Sequence, residues 1–180
     1  MPYGDLQATT WIAGLMGPGF TWLMQDISRL GSRGPVLAAV AALALGLLLR
    51  RRWQDAALLL LAYGGSELTV SLVKSYCQRP RPSAPLVLAH GYSFPSGHAV
   101  NITLICGFIT YLLWPVWRRA WARGLTLVAA LCLILLVGFS RIYLRVHWLD
   151  DVLAGYAVGL AWLLISKGLT GAIFPKPRTS

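Results

Sequence analysis

Three short segments carry the unusual polar chemistry of this chain: KSYCQRPRP at 74–82, YSFPSGHA at 92–99 and SRIYLRVHWLDD at 140–151. In the first, Lys74 precedes Arg81, and Pro80 and Pro82 keep the backbone at Arg79 and Arg81 extended. A held guanidinium beside an ammonium suits a tetrahedral oxyanion such as phosphate, the guanidinium gripping two oxygens and the ammonium acting as a point charge. The same bases also fit a plainer reading as cations snorkelling to a membrane boundary. In the second segment, Ser96 and Gly97 open an apolar run, so a helix N-terminus with a capping hydroxyl and an unobstructed backbone offers N–H groups to an anion. His98 then stands where it could protonate a leaving oxygen, although a simple cap with an incidental histidine fits too. In the third, a helical spacing sets Asp151 against the His147 ring, leaving the far ring nitrogen as a nucleophile able to take a phosphoryl group. Arg141 adds a third cation.

Residues of this kind must be held by something, and the composition says what. Of the 180 residues 57% are hydrophobic and 12% charged, which excludes an ordinary soluble domain and a disordered chain, and three cysteines do not make a disulfide scaffold. Five apolar runs of roughly spanning length occur, at about 35–49, 54–73, 98–117, 121–139 and 151–169. In lipid these must be helices. Residues 5–28 are apolar but interrupted by Gly14, Gly17, Pro18 and Gly19, which predicts a broken interfacial helix rather than a span. The fold expected is therefore an all-α polytopic membrane bundle of about five transmembrane helices plus an N-terminal interfacial helix.

The net charge of +10 divides along the same lines. Nine of the sixteen bases (Arg50, Arg51, Arg52, Arg118, Arg119, Arg123, Lys167, Lys176 and Arg178) fall on one side of a five-span topology, marking it as cytoplasmic. All three polar segments then lie on the extracytoplasmic face, and no nucleic-acid partner is needed to explain the charge.

Together the segments read K-x6-R-P (Lys74, Arg81, Pro82), P-S-G-H (95–98) and S-R-x5-H-x3-D (Ser140, Arg141, His147, Asp151), which resembles the tripartite signature of the type 2 phosphatidic acid phosphatase superfamily. The resemblance covers about residues 30–165. It implies an integral-membrane lipid phosphatase working through a phosphohistidine, with His147 as nucleophile, Asp151 as its orienting partner and His98 as general acid. The phosphate ligands it implies are Lys74, Arg81, Ser96, Gly97, His98 and Arg141. The organisation expected is an N-terminal interfacial segment at 1–30, the phosphatase membrane domain at 31–172 and a cytoplasmic tail at 173–180. Integral members usually have six spans, so the reading of five departs from the pattern.

The expected activity is metal-independent removal of a terminal phosphate from a lipid phosphate or pyrophosphate, undecaprenyl pyrophosphate first, at the outer leaflet of a bacterial inner membrane. Phosphatidylglycerophosphate, phosphatidate and lipid A phosphates are alternatives, as is a lipid phosphotransferase using the same site. No zinc-type ligand spacing occurs, and no metal or other cofactor is expected. The partners expected are the lipid substrate and the bilayer. Glu67 is read either as lining the lipid pocket or as pairing with a base between helices, and Arg145 as a further contact to a distal phosphate or headgroup. Gly155 and Gly159 are read as a small-residue face for helix packing.

Overall fold

The computed structural model describes residues 17–173, and the regular elements among them are six α-helices: α1 (Pro18–Arg29), α2 (Arg33–Leu49), α3 (Trp53–Cys77), α4 (Gly97–Leu113), α5 (Ala120–Tyr143) and α6 (Leu149–Ile173). Four stretches are long and apolar enough to cross a membrane: Pro18–Leu49, which runs through α1 and α2, and the helices α3, α5 and α6. The shorter apolar α4 completes an all-helical membrane bundle.

Local sequence sets the helix limits. Pro18 does not interrupt α1 but starts it: it takes the first helical position after an extended Gly17, where its missing N–H costs nothing. The expected break at Gly14 and the rest of residues 5–16 lie outside the described residues. α1 is amphipathic, burying Met24 and Ser28 while Trp22 and Leu23 stay exposed. At the far end of the bundle α4 stops at Leu113, short of the expected 117, because Pro115 has no N–H to extend the helical ladder. α3 ends where Gln78 turns left-handed (φ 44°), just ahead of Pro80.

α4 is the centre of the bundle, and its approach to α6 is close. A Cβ on Gly155 would lie 2.7 Å from the Cβ of Ala99, and one on Gly159 2.9 Å from the Cβ of Thr103, so α6 presents the small-residue face expected. Val36, Val40, Leu58, Leu59, Leu104 and Phe108 form an apolar core between α2, α3 and α4. At the other end α1 lies over the end of α5. Met24 packs with Tyr143, Leu144 and Val146, and Thr21 Oγ1 shares a 2.9 Å hydrogen bond with the Tyr143 hydroxyl. The α1–α2 turn is pressed against α4: a Cβ on Gly31 would stand 2.8 Å from the His98 carbonyl oxygen, and Asn101 Nδ2 donates to the Gly31 carbonyl at 3.2 Å.

Candidate active site

His147 and Asp151 are brought together, but not by the helical spacing expected. His147 lies in the turn before α6, and Asp151 is in the first turn of that helix. Asp151 Oδ2 accepts from the Trp148 backbone N–H at 2.9 Å, folding the turn back so that the same oxygen lies 3.3 Å from His147 Nδ1. The pair is buried, at 3% exposure for His147 and 0% for Asp151. With Nδ1–H turned to the carboxylate, Nε2 keeps its lone pair, and that nitrogen is 3.4 Å from Arg81 Nη1. Burial, with help from Arg141, Arg81 and Lys74 nearby, outweighs the Asp151 hydrogen bond and pulls the His147 pKa down to about 4. The ring is therefore neutral at neutral pH.

Asp151 has a second tether that the sequence did not reveal. Arg79 Nη1 donates to its Oδ1 at 2.8 Å, and the guanidinium lies over the Trp148 ring, 5.7 Å from the centroid. Trp148 in turn donates from its indole to the Pro80 carbonyl at 3.0 Å. The Arg–Pro–Arg–Pro run thus holds Asp151 with one arginine and reaches the His147 ring with the other. The hint in sequence was the second arginine itself, left without a role.

Arg81 and Lys74 both grip the 90–93 loop. Arg81 donates to the carbonyls of Gly91 (3.0 Å), His90 (2.9 Å) and Val146 (2.6 Å), while Lys74 Nζ donates to Tyr92 at 2.6 Å and Ser93 at 3.3 Å. Burial lowers the Arg81 pKa, opposed by the Asp151 charge.

Ser96 occupies the N-cap position of α4, yet its side chain makes no capping bond. Its Oγ and Arg141 Nε are buried without a hydrogen-bond partner among the described residues. Leaving such a group unsatisfied costs about 1–3 kcal/mol, and an oxyanion set between them would satisfy both. Arg141 is 7% exposed and is positioned by Ser28 of α1, whose Oγ accepts from its Nη1 at 2.5 Å. Sequence reasoning missed Ser28, because 113 residues separate it from its partner. His98 and Arg141 face Gln25, Ser28 and Arg29 across a cavity of about 190 Å³. At Gly97, the first position of α4, the nearest atom to an added Cβ is Val70 Cγ1, 3.9 Å away. All eight site residues expected from sequence thus lie at one end of the bundle.

The geometry is matched by likeness to known proteins. The PAP2 superfamily matches residues 55–173. The chain belongs to that family. It is 33% identical over 155 residues to phosphatidylglycerophosphatase B of Bacillus subtilis (strain 168), covering 84% of this chain and 75% of that one. It is 35% identical over 102 residues to an undecaprenyl-diphosphatase of Sulfolobus acidocaldarius, covering 55% of this chain and 41% of that one. The crystal structure of a transmembrane PAP2 type phosphatidylglycerolphosphate phosphatase from Bacillus subtilis superposes with a TM-score of 0.84 at 30% identity, covering 95% of this chain and 86% of that one. This PAP2 protein is accordingly a multi-span membrane lipid phosphatase, a hydrolase of phosphate esters.

Two residues left open by the sequence also find places. Glu67 is paired, its carboxylate 3.1 Å from Arg33 Nε. Arg145 takes a left-handed φ of 54° in the turn before His147, with its Nε buried.

Proposed function

We propose that this PAP2 phosphatase removes the terminal phosphate of an anionic lipid through a phosphohistidine on His147. The observation that carries the reading is the His147 ring, tied at Nδ1 to Asp151, with the Nε2 lone pair turned to Arg81 Nη1 in a long 3.4 Å contact that a phosphate can displace. In the first step Nε2 attacks phosphorus and the P–O bond to the lipid breaks. His98 gives its proton to the departing alkoxide, or to the inner phosphate of a diphosphate. In the second, His98 takes a proton from water as the water oxygen displaces Nε2, releasing inorganic phosphate. Lys74, Arg81 and Arg141, with Ser96 and the N–H of Gly97, neutralise the equatorial oxygens, and Asp151 stabilises the charged imidazole.

The longer match, to a phosphatidylglycerophosphatase, favours phosphatidylglycerophosphate. Undecaprenyl pyrophosphate, expected first from sequence, remains the second reading, favoured by the likeness to the undecaprenyl-diphosphatase. The active site is assigned to the extracytoplasmic face of the inner membrane, on the charge asymmetry of the loops. Phosphate release from a panel of these lipids by the purified protein, with His147→Ala as control, tests the proposal. Phosphate release undiminished by that substitution would refute the mechanism, and transfer of the phosphoryl group to a second lipid or sugar would convert the hydrolase reading into a phosphotransferase.

A further inference from the structure

At the end of the bundle away from His147 the helices leave a second, larger cavity. Its volume is about 680 Å³, and Arg52, Asp55, Tyr111, Trp114, Leu127 and Lys167 are among its walls. It exists because α4 is short. α4 ends at Leu113, whereas α5 begins seven residues before Leu127 and α6 runs on six residues past Lys167. At 1.5 Å per residue the neighbours reach about 10 Å beyond the cavity, with no α4 beside them to fill the gap.

The polar walls are ordered and positive. Asp55 accepts from Arg52 Nε at 2.7 Å and from the Tyr111 hydroxyl at 2.8 Å, so the single carboxylate among these six residues is already engaged. Lys167 makes no ion pair among the described residues, and its ammonium lies 6.0 Å from the Tyr111 ring. Arg123 stacks on Trp114 at 5.3 Å, at the rim. Two of these cations, Arg52 from the turn that precedes α3 and Lys167 from α6, face one cavity over a single engaged acid. That arrangement recruits an anion, and basic pockets between membrane helices take lipid head groups.

What carries the anion is written in the stripes leading from the cavity toward the bilayer centre. On α6, Leu164 and Leu160 lie three and seven residues before Lys167 and are 62% and 54% exposed. On α5, Leu131 follows Leu127 by one turn, and the two are 55% and 47% exposed. Both stripes continue the cavity walls at helical spacing as apolar surface fit for acyl chains.

We propose that this cavity binds the phosphodiester headgroup of an anionic phospholipid in the leaflet opposite the active site, with its chains along the α5 and α6 leucines. A phosphodiester has no terminal phosphate, so the bound lipid is a ligand and not a substrate. The full-length protein, purified in detergent and titrated with phosphatidylglycerol, is read by native mass spectrometry. The expected result is a retained phosphatidylglycerol that phosphatidylcholine does not replace. Its occupancy should fall at least tenfold in Lys167→Gln and stay unchanged in Arg141→Gln, which alters the active site alone. Lys167 is exposed at the cavity mouth, so the substitution leaves packing intact. Equal retention in Lys167→Gln, or loss in Arg141→Gln, overturns the assignment. Displacement by soluble glycerol phosphate at the same concentration as the lipid would show a free-anion site and overturn the lipid part.

Discussion

At the residue scale, the site turns on which nitrogen of His147 carries the proton and when. Since the free-enzyme pKa is about 4 against about 6.5 for an unperturbed imidazole, the ring stays neutral well into the acid range. The acid limb of kcat/KM should therefore centre near 4, and a limb near 6.5 would show that burial does not govern the nucleophile. The same depression has a stability sign. The unfolded chain binds the proton more readily, so the contribution is complete above about 6.5 and is lost as pH falls through about 4. Asp151→Asn should keep the fold and lower turnover by about 10²–10⁴-fold, the range of a positioned acid–base group. Quenching into alkaline detergent during turnover of a lipid carrying ³²P in its terminal phosphate should trap label on the wild type and none on His147→Ala, and that label should be lost on acidification. Ser28→Ala should raise KM more than it lowers kcat, by loosening Arg141. An unchanged KM would show that Ser28 merely caps a buried arginine.

At the element scale, the packing of α6 on α4 sets the position of Ser96 and Gly97, the proposed phosphate cradle. Gly155 meets the Ser96 carbonyl oxygen as well as Ala99, each 2.7 Å from an added Cβ. Gly155→Ala should then destabilise the bundle by about 1–3 kcal/mol and lower activity further by shifting Ser96. Gly168→Ala, with nothing within 4 Å of the new Cβ, should do neither. A thermal melt in detergent beside an activity assay separates the two effects. This scale also shows what could be read from the sequence. The apolar runs located the bundle's long helices within a few residues, because lipid forces hydrogen bonds inside each segment. Their ends obeyed local residues such as Pro115, whose effect length alone does not register. His147 and Asp151 could be paired because they are neighbours in the chain. Arg79 and Ser28 could not, because their contacts join segments 72 and 113 residues apart. Ser28 leaves only a faint mark in sequence, one of two hydroxyls, with Thr21, on the face that α1 turns to α5.

At the scale of the whole molecule, the charge divides between two ends with different tasks. Arg50, Arg51, Arg118 and Arg119 crowd the turns at the end away from His147, and Lys74, Arg81 and Arg141 gather at the other. Single cysteines placed in the 83–90 loop and at Arg118, in a background lacking the native three, test the proposed orientation. A membrane-impermeant maleimide applied to intact cells should label the first and not the second; the reverse pattern would invert the protein.

The contact of Gly31 with His98 joins the α1–α2 turn to the start of α4. α1, whose Gln25, Ser28 and Arg29 line the cavity shared with His98 and Arg141, thus rests through that turn on the backbone of the residue proposed to protonate the leaving group. On the proposed mechanism, a change in how α1 sits should therefore alter turnover together with substrate choice. Exchanging α1 for that of a relative, as a way to redesign substrate choice, should fail unless Gly31, Asn101 and Val137 travel with it as a single graft.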